Sequence, residues 1–122
     1  MHRVLNILSS AALLIAACPA PAADVYPAKT VRIVVAFAAG GSTDLLARNV
    51  AQRLSEAWKQ SVIVDNRAGG GGVIGAEIVA KAPADGYLIG GVSLNFTVYP
   101  TLYRKIPFQV PGSFTQIGRA HV

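Results

Sequence analysis

The stretch Thr30–Asp44, TVRIVVAFAAGGSTD, decides the fold that the rest of the chain follows. Its apolar run from Val31 to Phe37 is typical of a strand buried on both faces of a sheet. The small-residue turn Ala38–Gly41 follows, and Ser42–Asp44 then lead an amphipathic segment, as residues at a helix start do. This order brings backbone N–H groups and the positive end of a helix dipole to one point, which suits a carboxylate or a phosphate. An ordinary strand-to-helix turn without a ligand is the alternative, because α/β folds repeat such turns.

Length and composition indicate a small globular chain rather than a disordered one. The 122 residues are 52% hydrophobic and 14% charged, which is enough for one domain or part of a larger one. The formal charge is +5, but the basic residues form no run longer than a pair, and aromatic residues make up only 7%. A nucleic-acid-binding protein usually carries a clustered basic stripe, so we expect no nucleic-acid partner.

The N-terminus has the pattern of an export signal. A basic start, Met1–Arg3, precedes the apolar segment Val4–Ala17, which is too short for a stable membrane anchor. Ala20–Ala22 fits an A-x-A cleavage site, so we expect a signal peptide over residues 1–23 and an exported mature chain from residue 24. Cys18 ends a segment that resembles a lipoprotein box, and lipidation there is the alternative to its removal with the signal peptide.

Strand and helix patterns alternate along the mature chain. From Thr43 the pattern is helical, and the apolar face is expected to hold four residues at four-residue steps, Leu46, Val50, Leu54 and Trp58, with Ala47 and Ala51 beside them. Strands are predicted at Ser61–Asp65 and Tyr87–Val92, and a second helix at Val73–Ala82 with Ile74, Ile78 and Val79 on its apolar side. Asn95–Lys105 is expected to form a loop and a short helix that Pro100 breaks.

The order β-α-β-α-β predicts a parallel sheet with right-handed crossovers. Two helices give thin cover for three parallel strands, so we expect the chain to be incomplete. The tail Ile117–Val122, IGRAHV, can be back-translated as ATC GGA AGA GCA CAC GTC, which looks like a sequencing adapter. We therefore expect the native sequence to end near Gln116, with residues 24–116 as its mature part and the tail, residues 117–122, as non-native.

A second glycine-rich turn follows the second strand. Gly70-x-Gly72-x-x-Gly75 fits the dinucleotide fingerprint G-x-G-x-x-G, so a nucleotide- or dinucleotide-binding enzyme domain using Gly70–Gly75 is an alternative. The fingerprint also needs an acidic residue at the end of the next strand, where the sequence has Ser93, Leu94 and Asn95. A phosphate-binding P-loop is excluded because no lysine follows the glycines.

The residues predict binding rather than catalysis. His2 and His121 lie in the predicted signal peptide and tail, so no Ser-His-Asp site, metal site or cofactor is expected in the mature body. Asp44 is either a cap of the first helix or a ligand-facing group. If the first two strands are neighbours, both glycine turns lie at their carboxyl ends, and backbone N–H groups with the Ser42 and Thr43 hydroxyls can meet one anion.

Short motifs in a fixed order resemble those of the tripartite tricarboxylate transporter substrate-binding proteins, also called the Bug family. They extend over residues 26–116 and read as follows: Tyr26-Pro27, Phe37-x-x-Gly40-Gly41-Ser42-Thr43-Asp44, Ala47-Arg48, Asn66-Arg67-x-Gly69-x-Gly71-Gly72, Gly75-Ala76, Val79-Ala80-x-Ala82, Asp85-Gly86-Tyr87 and Tyr99-Pro100-x-Leu102-Tyr103. The chain departs from the family pattern at Ala39 and Ala68, where proline is common, at Gly70, where alanine is common, and over 108–114, which lacks the expected acids.

The resemblance implies an α/β fold of the type II periplasmic-binding-protein class, with this chain as the βαβαβ start of lobe one. It implies a small carboxylate ligand, such as a di- or tricarboxylate, an amino acid or an aromatic acid, that is passed to a membrane transporter or a sensor. It also implies no enzymatic activity. The residues expected to bind the ligand lie in the two turns: Phe37, Ala38, Gly40, Gly41, Ser42, Thr43, Asp44, Asn66, Gly71, Gly72 and Gly75.

Overall fold

The computed structural model describes residues 25–117 and shows an α/β unit built on a three-stranded sheet. The strands are β1 (Val31–Val35), β2 (Val62–Asn66) and β3 (Leu88–Gly91), and the helices are α1 (Ser42–Trp58), α2 (Val73–Ala80) and α3 (Tyr99–Leu102). Short 3₁₀ turns cover Gly70–Gly72 and Leu94–Val98. The predicted signal peptide, Cys18 and residues 118–122 of the predicted tail lie outside the described residues.

The sheet is parallel throughout, in the order β2-β1-β3, which confirms the predicted βαβαβ arrangement. β1 is the central strand: Val31 pairs with Val62 on one side, and Arg32 pairs with Leu88 on the other. Val31 and Val35 are fully buried and Val34 is 1% exposed, so both faces of β1 are covered, as the unbroken apolar run predicts.

Helix α1 packs on the sheet through only part of its predicted apolar face. The prediction is wrong for Leu46 and Val50, which are 68% and 49% exposed, whereas Ala47 and Ala51 are buried against the sheet. The buried stripe continues through two residues that were predicted correctly, Leu54 and Trp58. Small alanine side chains let the helix axis approach the sheet closely, and this close approach favours the alanine stripe over the leucine-valine stripe.

Helix α2 ends at Ala80 rather than Ala82, and its predicted apolar side is only partly correct, since Val79 lies against Gly90 of β3 but Ile74 does not pack inside. Ile74 is 49% exposed, and the buried residues of this helix are Gly75 and Ala76. A Cβ atom at Gly75 would lie 2.7 Å from the Cα of Ala36, just beyond β1. The glycine therefore permits a helix-to-strand contact too close for any side chain.

Helix α2 covers the second face of the sheet, and an aromatic cluster from the C-terminal segment packs on that helix at Ala76. Tyr99 and Phe108 are 2% and 7% exposed, and Phe96 and Phe114 pack against them. The prediction that Pro100 breaks a helix is wrong, because it lies in the first turn of α3. Proline is tolerated there since N–H groups of the first turn have no intrahelical partner.

A smaller aromatic group closes the amino edge of the sheet. The ring of Tyr26 lies 5.7 Å from that of Trp58 and 5.1 Å from that of Tyr87. The Tyr26 hydroxyl donates to the carbonyl of Gly86 at 2.6 Å, and the N–H of Ala28 donates to the Tyr87 hydroxyl at 2.9 Å. Trp58 thus anchors the end of α1 at the edge opposite the two glycine turns.

Candidate functional site

The two glycine-rich turns meet at the carboxyl edge of the sheet. The first turn, Ala38–Gly41, follows β1, and the glycine loop, Gly69–Gly72, follows β2. Because β1 and β2 are adjacent and parallel, with Val35 paired to Asn66, both turns rise from the same edge. This is the position at which α/β sheets bind ligands.

The first turn passes directly into helix α1. Gly40 has a φ of 86° and Gly41 is the N-cap residue, without a side-chain cap. Ser42 is therefore the first helical residue, and the expectation that Asp44 caps the helix is wrong. The N–H groups at the start of α1 have no intrahelical acceptor, and they form the positive end of this 17-residue helix. The Ser42 hydroxyl is exposed and that of Thr43 is half-buried beside them.

Asp44 lies beneath the first turn and holds it in place. Its carboxylate accepts hydrogen bonds from the Gly40 N–H at 2.8 Å, from Arg48 Nε at 3.0 Å and from Asn66 Nδ2 at 2.9 Å. The side chain is only 3% exposed. These donors, with the Arg48 guanidinium first, lower the pKa of Asp44 from 3.8 to about 2. The carboxylate is thus ionised and buried, and both of its oxygens accept hydrogen bonds.

Asn66 and Arg48 extend this network between the two turns. Asn66 Nδ2 also donates to the Phe37 carbonyl at 3.2 Å, and Arg48 Nη2 donates to Asn66 Oδ1 at 3.1 Å. We call Asp44, Arg48 and Asn66, with the Gly40 N–H, the Asp44 cluster. The cluster ties the end of β2 to the first turn. Sequence reasoning named Asp44 and Asn66 but missed Arg48, although the i,i+4 spacing of an acid and a base on one helix signals such a pair.

The glycine loop has a backbone that only glycine adopts readily. Its four residues, Gly69, Gly70, Gly71 and Gly72, have φ values of 140°, 56°, 64° and 101°. The Gly72 N–H closes the turn on the Gly69 carbonyl at 2.9 Å. A Cβ atom at Gly72 would lie 2.2 Å from the Tyr99 hydroxyl, and one at Gly71 would lie 2.6 Å from the Tyr103 hydroxyl.

Two tyrosines outside the predicted set contact the glycine loop. The Tyr99 hydroxyl donates to the Gly71 carbonyl at 2.8 Å, and the Tyr103 hydroxyl donates to the Gly70 carbonyl at 3.1 Å. The two residues are one helical turn apart, so their side chains project from one face of the segment. That i,i+4 tyrosine pair is the only sequence signal of this contact.

The predicted ligand-binding residues divide into a surface group and a supporting group. The exposed members are Ala38, Gly40, Gly41, Ser42 and Gly71, the half-buried members are Phe37, Thr43 and Asn66, and the buried members are Asp44, Gly72 and Gly75. Two basic side chains near the turns are paired with acids: Arg48 with Asp44 at 3.0 Å, and Arg67 with Asp65 at 3.0 Å. An anion at this edge would therefore meet mainly backbone dipoles and hydroxyls.

Comparison with known proteins points to one family. The model of the tripartite tricarboxylate transporter family receptor matches residues 46–120. BugT of Bordetella pertussis is 46% identical over 90 residues, which are 72% of this chain and 28% of that protein. The chain spans between 27% and 33% of the length of the curated relatives that it matches.

Solved structures agree with this assignment. The periplasmic binding protein BugD has a TM-score of 0.59 at 41% identity, over 65% of this chain and 26% of BugD. Rpa4515 of R. palustris, solved with adipate, has a TM-score of 0.52 at 52% identity, over 53% and 22% of the two chains. MatC of Rhodopseudomonas palustris, solved with bound malate, has a TM-score of 0.51 at 37% identity, over 53% and 22%.

Proposed function

We propose that this chain, which belongs to the tripartite tricarboxylate transporter receptor family, forms part of a periplasmic solute-binding protein for a small carboxylate. The complete protein would deliver its ligand to a membrane transporter or a sensor and would catalyse no reaction. The single observation that carries the proposal is the meeting of the first turn and the glycine loop at one edge of the sheet, beside the N-terminus of α1.

The geometry supports a carboxylate because the N-terminus of α1, which directly follows the first turn, offers hydrogen-bond donors. The N–H groups at the start of α1 and the hydroxyls of Ser42 and Thr43 suit carboxylate oxygens. Asp44, the acid near the start of α1, is buried and hydrogen-bonded, so its charge faces Arg48 rather than the surface. The relatives solved with adipate and malate support the same ligand class.

In this proposal the first turn and the glycine loop have different roles. Ser42, Thr43 and the backbone of the first turn contact the ligand carboxylate, and the glycine loop forms the adjoining wall. Asp44 and Asn66 shape the site from below rather than touching the ligand. The remaining contacts come from parts of the complete protein beyond the described residues.

Titration calorimetry on the product of the complete reading frame tests the proposal. The ligands are malate, adipate, citrate and a set of amino and aromatic acids, with NAD as the probe for the dinucleotide alternative at Gly70–Gly75. We expect one carboxylate to bind and NAD to give no heat of binding. Binding of NAD with no response to any carboxylate would reverse the assignment.

A pair of threonine variants localises the site. Thr43→Val removes a hydroxyl beside the first turn, and Thr30→Val removes one at the opposite edge of the sheet, next to β1. We expect Thr43→Val to weaken carboxylate binding about fivefold, the effect of one hydrogen bond, and Thr30→Val to leave it unchanged. Equal affinities of the two variants would place the carboxylate elsewhere.

A further inference from the structure

The four tyrosine hydroxyls of the chain are all bonded to backbone groups, but they form two pairs at opposite edges of the sheet. Tyr26 and Tyr87 bond to loops at the amino edge, and Tyr99 and Tyr103 bond to the glycine loop at the carboxyl edge. We propose that Tyr99 and Tyr103 are positioning residues that hold the glycine loop in its ligand-receiving conformation. The ligand part of this inference rests on the proposed function.

The glycine loop needs such support because it has no side chains of its own. Four consecutive glycines with positive φ lose more conformational freedom on folding than any other tetrapeptide. The two hydroxyls donate to consecutive carbonyls, those of Gly70 and Gly71. Since each peptide unit is planar and trans, a fixed carbonyl also fixes the direction of the N–H in the same unit. The tyrosine pair thereby sets two successive peptide planes of the wall that adjoins the first turn.

The loop and the tyrosines are also fitted to each other by shape. The hydroxyls of Tyr103 and Tyr99 occupy the space where Cβ atoms at Gly71 and Gly72 would lie, at 2.6 Å and 2.2 Å. A loop with side chains at these positions could not approach the tyrosines, and tyrosines without hydroxyls would leave the carbonyls unbonded. The close approach and the hydrogen bonds therefore both depend on the two tyrosines and on the run Gly70–Gly72.

Tyr99 is the rigid member of the pair. It is 2% exposed, and its ring packs 5.9 Å from Phe96, 6.2 Å from Phe108 and 5.8 Å from Tyr103. Burial raises the pKa of Tyr99, with a smaller contribution from the adjacent Tyr103, so its hydroxyl remains a protonated donor. Tyr103 is 37% exposed and can lose its hydroxyl with little effect on the core.

The test replaces hydroxyls and keeps the rings. Tyr99→Phe, Tyr103→Phe and the double variant are compared with Tyr26→Phe, which removes a matched hydroxyl-to-glycine bond at the amino edge. Each protein is the product of the complete reading frame. Hydrogen–deuterium exchange of residues 69–72 is measured without ligand, and affinity for malate and adipate is measured well below the melting temperature.

We expect Tyr99→Phe and Tyr103→Phe to speed exchange in the glycine loop and to weaken carboxylate binding about fivefold each. Tyr26→Phe should lower the melting temperature without changing either property. Unchanged loop exchange in both Tyr99→Phe and Tyr103→Phe would overturn the inference. If Tyr99→Phe fails to fold, Tyr103→Phe alone decides. If the wild-type protein binds no carboxylate, the proposed function fails, and loop exchange still decides the positioning role.

Discussion

The first turn and the glycine loop lie side by side at one edge of the sheet, but different forces hold them. The first turn is held by charge: the buried Asp44 carboxylate collects three donors from Gly40, Arg48 and Asn66. The glycine loop is held by shape and by neutral hydroxyls, from Tyr99 and Tyr103. Most of the donors to Asp44 are also close in the chain, although Asn66 lies 22 residues away. Gly40 and Arg48 lie within four residues of Asp44, whereas the tyrosines lie 28 and 33 residues beyond their glycine partners.

The two turns also differ in the room around them. A Cβ atom at Gly40 would meet no atom within 4 Å, whereas one at Gly72 would meet Tyr99, Phe37 and Ala36. The first turn thus needs glycine only for its backbone angle. The glycine loop needs it for the angle and for the space, so it tolerates less change.

The largest expected effect is that of Gly72→Ala, and its comparison with Gly40→Ala separates the need for the backbone angle from the need for space. Gly72→Ala places a methyl group at a φ of 101° and against the buried Tyr99 hydroxyl. We expect it to lower the free energy of unfolding by about 3–4 kcal/mol, as the sum of backbone strain and overpacking. Gly40→Ala, at a φ of 86°, carries the strain alone and should cost about 1–2 kcal/mol. Urea unfolding measures both, and equal losses would show that packing does not distinguish the turns.

Removal of the charge at the first turn is expected to have the next largest effect. Asp44→Ala removes the buried acceptor that the Gly40 N–H shares with the side chains of Arg48 and Asn66, and it leaves the Gly40 N–H without its partner. Asp65→Ala is the matched control, since Asp65 also pairs with two arginines but its side chain is 22% exposed rather than 3%. We expect a clearly larger fall in melting temperature for Asp44→Ala, measured by circular dichroism. A fall no larger than that of Asp65→Ala would mean that the Asp44 cluster does not hold the turn.

Local pattern in the sequence predicted the elements and the place where the turns meet. The unbroken run Val31–Phe37 required a central strand, and the βαβαβ order then put both turns at one edge. These inferences succeeded since each depends on residues that are neighbours in the chain or on general rules of topology.

Features decided by tertiary packing were not predictable in this way. Helix α1 carries two apolar stripes, Leu46 with Val50 and Ala47 with Ala51, and hydropathy favours the larger residues. The sheet selects the alanines because they allow a closer approach. The contact of Tyr99 with the glycine loop was also missed, since its partner lies 28 residues away and no spacing rule links them.

The smallest expected effect is a loss of stability at low pH. Because the folded state holds the pKa of Asp44 at about 2, below its ordinary value of 3.8, ionised Asp44 stabilises the fold. That contribution is fully present above about pH 4 and is lost as the pH falls through the folded-state value. The glycine loop, held by neutral hydroxyls, makes no such contribution. Acid should therefore loosen the first turn while the glycine loop keeps its hydrogen bonds.

Asp44→Asn separates this contribution from general acid unfolding, because the amide keeps an oxygen acceptor of similar shape but cannot titrate. We expect the wild-type protein to lose stability more steeply than Asp44→Asn between about pH 4 and pH 2, in urea titrations at each pH. The Tyr103→Phe variant retains Asp44 and should follow the wild-type slope. Parallel curves of stability against pH for wild type and Asp44→Asn would show that the Asp44 carboxylate is not selectively stabilised in the folded state. The contrast between a first turn held by charge and a glycine loop held by shape would then fail.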